Sequence, residues 1–310
     1  MRLRVLDDGR LELGTDPRRG QEPLQLLRLG HIAGNGHLHQ ARHARDPTPT
    51  PPGTRWWHDL PVTEATPTER YFDARASVYD TLRPQDGAWW RRLEALVREG
   101  DLRGRRVLDI GCGTGAVAAA LSETASARVW GVEPSAEMLA VARRTAPRGV
   151  GLKQGRAEAL PFTDGWFERA VMCLVVHLVD RPLALREAER VLVPGGRLAI
   201  ATFDQSHFDT WWAARFFPSL PDVDRARFPS REALETELRA AGFETVAVVP
   251  LTDTGTIDRE TALAKLRGRH ISTFALLDPD EVTRGIEQAE RELPVTVETT
   301  LRQLLVIGER

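Results

Sequence analysis

Downstream of residue 71 the chain alternates two hydrophobic periods. Residues 88–98 place Trp89, Trp90, Leu93, Leu96 and Val97 among charges at helical spacing, and Gly100 follows as a stop. Short apolar runs at 107–110, 128–132, 151–154, 169–175 and 197–202 predict strands. Between them, 116–122, a segment capped by Ser135 and running to 146, and 182–191 predict helices. A Pro194-Gly195-Gly196 turn leads into the fifth strand. Further on, 231–241 reads as a helix stopped by Gly242, and 244–250 and 296–307 read as the last strands, with helices near 259–266 and 280–293 between them. Regular alternation of strand and helix predicts an α/β fold whose sheet is mostly parallel and covered on both faces.

The first 65 residues break this pattern. They hold five of the eight histidines and a cluster of prolines at 47, 49, 51 and 52. Little there could bury apolar area enough to offset ordering entropy, so a weakly ordered extension is expected, with a small hairpin around Asp8-Gly9. His31, His37, His39 and His43 lie among glycines without a cysteine or a helix to fix them, and no metal site is expected. The expected organisation is therefore an extension over 1–65 and one domain over 66–310.

Composition narrows the function classes. With 310 residues, 28% charged and a net charge of −2, the chain has no general attraction for nucleic acid. Only Lys153 and Lys265 are lysines among its 42 basic residues. Two cysteines, Cys112 and Cys173, do not make a disulfide framework. No apolar run is long enough to cross a bilayer, so a cytoplasmic protein without a membrane partner is expected. Oligomeric state is not legible.

Chemistry concentrates at the ends of the first two predicted strands. Val107-Leu-Asp-Ile-Gly-Cys-Gly-Thr-Gly115 runs from a strand through three glycines into a helix, and Glu133 ends the next strand. Glycines there let a ligand lie against the main chain, and a carboxylate can accept hydrogen bonds from both hydroxyls of a ribose. Further segments follow in order: Gly131-Val-Glu-Pro-Ser-Ala-Glu-Met-Leu139, Gly155-Arg-Ala-Glu-Ala-Leu-Pro-Phe162, Trp166-Phe-Glu-Arg-Ala-Val-Met-Cys173 with His177, and Leu192-Val-Pro-Gly-Gly-Arg197.

Over roughly 71–310 this set resembles the class I S-adenosylmethionine-dependent methyltransferases, specifically the bacterial small-molecule group that includes quinone-biosynthesis-type enzymes. The resemblance implies a Rossmann-like sheet of seven strands, mostly parallel, with an antiparallel last strand. It implies S-adenosylmethionine as cofactor and in-line methyl transfer to a small metabolite. Asp109 would hold the methionyl end near the amides of Gly111, Cys112 and Gly113, with Gly115 closing the loop. Glu133, followed by Pro134, would take the ribose, and Met138 the adenine face. Ala157 and Glu158 would read the adenine amino edge, and Cys173 would be an apolar wall. Tyr79 and Arg83, in a segment that folds over the cofactor in related enzymes, would reach the methionyl end. His177, just after strand four, would also meet the cofactor, and His207 stands after strand five; neither is assigned a catalytic role, and no catalytic residue is named.

Cap elements are expected at about 71–90, 204–230 and 255–293. Phe208, Trp211, Trp212, Phe216 and Phe217 in the second suit an apolar or planar acceptor. The place after strand four reads Cys173-Leu-Val-Val-His177 rather than Asp/Asn-Pro-Pro-aromatic, which favours a metabolite over nucleic acid. Two other readings stay open: a non-catalytic regulatory protein that binds S-adenosylmethionine, and a nicotinamide oxidoreductase using Gly111, Gly113 and Ala116. Which atom of the acceptor receives the methyl group is also open.

Overall fold

Residues 2–5, 11–14 and 67–310 are described in a computed structural model of the chain, which divides into two units, 1–61 and 62–310. In the first, β1 (Arg2–Val5) pairs antiparallel with β2 (Leu11–Gly14), the small hairpin expected there. The expected weak order of the rest of 1–65, and its five histidines, lie outside the described residues.

The second unit begins with α1 (Pro67–Asp73), α2 (Tyr79–Leu82) and α3 (Gly87–Glu99). Strand and helix then alternate through β3 (Arg106–Ile110), α4 (Ala116–Thr124), β4 (Arg128–Glu133), α5 (Ala136–Thr145) and β5 (Gly151–Gln154). Next come β6 (Phe167–Cys173), α6 (Arg181–Val191) and β7 (Leu192–Phe203). The remainder is α7 (His207–Thr210), α8 (Leu220–Arg227), α9 (Arg231–Ala241), β8 (Thr245–Asp258), α10 (Arg259–Arg267), α11 (Pro279–Glu292) and β9 (Thr296–Glu309).

One sheet of seven strands holds the unit together in the order β5-β4-β3-β6-β7-β9-β8. Its first five strands are parallel, and β9 runs antiparallel between β7 and β8. The expected fold class, with its antiparallel last strand, is borne out. Chain order reverses direction at β3, which has β4 on one side and β6 on the other. Such a switch point opens a crevice at the carboxyl ends of the strands.

Local chemistry sets the helix starts. The Ser135 hydroxyl accepts from the Met138 amide at 3.1 Å and the Asp180 carboxylate accepts from the Leu183 amide at 3.1 Å. Asp86 does the same for Trp89 at 2.9 Å. One sheet face packs Leu93 and Leu96 of α3 and Leu121 of α4 against Val107 and Val129. The other packs Leu185 and Ala188 of α6 and Leu234 and Leu238 of α9 against Phe167, Met172 and Ile200. A third cluster, with Phe217, Leu263, Phe274 and Val282, holds α10 and α11 to the segment after β7.

Three differences from the sequence-based expectation have physical causes. Strand β6 ends at Cys173 rather than 175, because Leu174 enters the left-handed region at φ 59°. Pro194-Gly195-Gly196 lies within β7, whose pairing with β6 shifts register between Phe167 and Arg169, so it acts as a bulge rather than a separate turn. Strand β8 continues past 250 to Asp258, paired throughout with β9. Pro250 is tolerated there because β8 is an edge strand.

Candidate active site

At the switch point the glycine-rich turn joins β3 to α4. Gly111 has φ +73°, and a Cβ there would meet Val175 Cγ2 at 2.6 Å, so glycine is demanded by packing. Gly113 differs: at φ +56°, a Cβ would meet no atom within 4 Å. Its missing side chain leaves open space. Gly115 caps α4 from the left-handed region and lets α5 approach, since a Cβ would lie 3.1 Å from that of Ala142.

Glu133 locks this turn to the end of β4. Its Oε2 accepts from the Gly113 amide at 2.9 Å and its Oε1 from the Ser135 amide at 3.0 Å. Asp109, one strand away, is 1% exposed, and its Oδ2 has no hydrogen-bond partner among the described residues. Burial raises both carboxyls to about 7, with the neighbouring Glu133 charge adding to the rise at Asp109. A buried acid without a cation is held part-neutral, and a ligand bearing a positive charge supplies what is missing.

Two cavities open here. One, of about 330 Å3, is walled by Glu133, Pro134, Met138, Ala157 and Glu158, with Phe72 of α1 opposite. The other, of about 250 Å3, reaches from Asp109, Cys112 and Arg83 past His177 to the segments after β7. Tyr79, Gly111, Gly113, Cys173 and Leu174 line both and mark their junction. The structure thus brings together thirteen of the fourteen residues expected to meet a cofactor; Gly115 lies behind the turn and lines neither cavity.

Several neighbours refine individual expectations. Glu158 already accepts from the Asp180 amide through Oε1 at 2.8 Å, so only its other oxygen is uncommitted. Arg83 donates to the Tyr79 hydroxyl at 3.0 Å and forms no ion pair among the described residues. Burial pushes both thiols up, Cys112 far up, so both are uncharged walls rather than nucleophiles. His177 stacks on Phe228 at 3.8 Å and His207 on Phe203 at 4.4 Å. Burial holds His177 well below the usual imidazole range and His207 at about 4, so both rings are neutral.

The leading helices are fastened to this edge. Thr114 donates to Asp80 at 2.7 Å, Ser135 to Asp73 at 2.6 Å, and Arg156 to Glu69 at 2.8 Å. Tyr71 donates to the Arg269 carbonyl at 2.6 Å and so joins α1 to the turn after α10.

Sequence reasoning missed Leu174, whose left-handed φ stores backbone strain at the cavity junction. It also gave no role to Arg92, Lys265 or His270, which line the second cavity from α3, α10 and the turn beyond. Lysine is rare in this chain, and that was the one signal pointing to Lys265.

A buried carboxyl with one unpartnered oxygen, a second carboxyl held by two amides beside bare backbone and a methionine-walled slot fit a cationic nucleoside. Comparison with known proteins agrees. Residues 108–200 match the sequence profile of the methyltransferase domain. A ubiquinone/menaquinone biosynthesis C-methyltransferase of Rubrivivax gelatinosus is 31% identical over 204 residues, 57% of this chain and 79% of that protein. Demethylmenaquinone methyltransferase of Thermus thermophilus is 34% identical over 183 residues, 51% of this chain and 82% of the other. In fold, the chain is similar to a protein of Anabaena variabilis assigned to methyl transfer in an antibiotic biosynthesis pathway. That likeness has a TM-score of 0.55 and 24% identity, covering 69% of this chain and 96% of that one. With its sheet, its glycine turn and these relatives taken together, the chain belongs to the class I S-adenosylmethionine-dependent methyltransferases of the quinone-biosynthesis-like group, enzymes that methylate small metabolites.

Proposed function

We propose that this chain binds S-adenosylmethionine across the two cavities and methylates a planar, ring-bearing metabolite in the cavity that Phe203, Trp211 and Phe228 wall. The observation that carries the donor assignment is the buried, unpartnered oxygen of Asp109 beside the open space at Gly113. Asp109 binds the donor's ammonium and Arg83 its carboxylate. Glu133, already oriented by two amides, accepts from the ribose hydroxyls. Met138 and Ala157 hold the adenine faces, and Glu158 takes its amino edge. When bound, the sulfonium supplies an activated methyl group whose leaving group is a neutral thioether.

What remains for the protein is alignment and exclusion of water. Cys173 and Leu174 close the junction without offering a competing charged nucleophile. The neutral histidines of the second cavity are weak bases, so the acceptor fits best as a phenol or enol that ionises readily. The relatives' names, which describe C-methylation in quinone biosynthesis, support an acceptor of this kind. The direct test is formation of S-adenosylhomocysteine with a panel of phenols and hydroquinones; turnover with none of them overturns the acceptor reading.

Donor binding is expected to release protons. Asp109 and Glu133 are held at about 7 in the ligand-free protein and must ionise to meet the cation. Affinity therefore rises as pH increases from about 5 to about 7, by up to about tenfold per unit for each proton released, and levels off above. Calorimetry in buffers of different ionisation enthalpy reads this directly. S-adenosylhomocysteine keeps the ammonium and the ribose and is expected to follow the same profile. Bulky alkylation of Cys173 is expected to slow when S-adenosylhomocysteine is present, because the thiol lies at the junction; an unchanged rate, followed by mass spectrometry, argues against that placement.

A further inference from the structure

Several arginines of this protein hold carboxylates. Arg156 pairs with Glu69, Arg181 with Glu237, Arg190 with Glu187 and Arg227 with Asp224. The second cavity departs from that habit. It is lined by Arg83, Arg92 and Lys265, and none of them makes an ion pair among the described residues. Arg92 donates to the amide oxygen of Gln303 at 3.5 Å and also meets the Cys173 thiol, neither of them an anionic partner. Lys265, half-buried on α10, makes no hydrogen bond from its ammonium among the described residues.

The acids of this cavity are otherwise engaged. Asp80 accepts from Thr114, Asp224 from Thr273 at 2.6 Å, and Asp86 caps α3 through the Trp89 amide. Asp86 acts on Lys265 only from beyond ion-pair range, and Arg83 opposes it. The donor described above consumes one negative and one positive group, Asp109 for its ammonium and Arg83 for its carboxylate. Arg92 and Lys265 are left without an ion pair among the described residues, and they line a chamber walled by Phe203, Trp211 and Phe228.

We infer that Arg92 and Lys265 are the anion-binding wall of the acceptor chamber, and that the acceptor is a planar acid bound as its anion. The inference rests on the donor assignment and deepens it by naming the acceptor's charge. Burial lowers the proton affinity of Lys265, and an anion beside it restores the charged form. A charge-assisted contact in such a setting is stronger than a neutral one, and it selects against uncharged isosteres. Two chemistries present such an anion on a flat body, a carboxylate and an ionised phenol or enol.

The experiment is calorimetric titration of the full chain saturated with S-adenosylhomocysteine, at neutral pH, with two matched pairs of probes. One pair is 2-naphthoate and 2-naphthamide; the other is 2,4-dinitrophenolate and 2,4-dinitroanisole. Expected is a preference of about tenfold or more for the ionised member of at least one pair. The pair that shows it tells carboxylate from phenolate. Lys265→Met alone is expected to cut the preference about threefold, and R92M with K265M to abolish it, while Arg92→Lys retains it. Unchanged S-adenosylhomocysteine affinity in each variant shows that the fold and the donor half are intact. Equal binding within both pairs, no binding of any probe, or a preference that survives the double variant overturns the proposal. Failure of the donor assignment is separate: it shows as no heat from S-adenosylhomocysteine in the unaltered protein, and the acid preference is then read without it.

Discussion

Gly113→Val is expected to abolish binding of S-adenosylmethionine while leaving the protein folded. A Cβ at this position meets nothing within 4 Å, so the branch point of the new side chain has room in the protein. Its methyl groups enter the space shared by both cavities. The φ of +56° adds strain of about 1–3 kcal/mol for a β-branched residue, a cost to stability that a folded domain of this size tolerates. Gly111 is the contrast, because a Cβ there collides with Val175 at 2.6 Å, so Gly111→Val destabilises the sheet edge itself. Calorimetric titration beside thermal unfolding separates the two. Donor affinity within tenfold of the unaltered protein for Gly113→Val places the ligand elsewhere.

Asp109→Asn carries the second large effect, with opposite signs for affinity and stability. Loss of the charge proposed to meet the donor's ammonium is expected to weaken both S-adenosylmethionine and S-adenosylhomocysteine by roughly 10- to 150-fold, about 1.5–3 kcal/mol. Stability of the ligand-free protein moves the other way. The Asp109 carboxyl titrates at about 7 in the fold against 3.8 for an unburdened aspartate, so the folded state binds the proton more tightly than the unfolded chain. That contribution is fully present below about 4 and is lost as pH rises through about 7. An amide has no charge to bury. Asp109→Asn is therefore expected to unfold at higher denaturant than the unaltered protein at about pH 8, and the gain vanishes at about pH 4. A variant less stable than its parent at pH above about 7 contradicts the buried-charge account.

Legibility in the sequence followed the range of the interactions. The parallel strands and capped helices were readable because Ser135, Asp180 and Gly242 act within one helical turn, and because β3 and β4 are short apolar runs. The donor half was readable for the same reason: Gly111, Gly113 and Glu133 sit at strand ends whose neighbours are set by chain order. The far half of β8 was not, since Thr252 to Asp258 has a single large apolar residue, Ile257, and no apolar alternation to signal a strand, and it is a strand by pairing with Thr296 to Arg302. Arg92 and Lys265 were illegible because they lie on α3 and α10, more than 170 residues apart, and meet the same cavity only in the folded chain. Leu174 gave no warning either. Its left-handed backbone is imposed by β6 ending against β7, where its amide donates to the Ala201 carbonyl at 2.8 Å.

The bonds from Thr114, Ser135 and Arg156 tie α1 and α2 to the segments after β3, β4 and β5. Any displacement of those helices away from the cavities has to break all three, and such segmental motion belongs to the microsecond-to-millisecond scale.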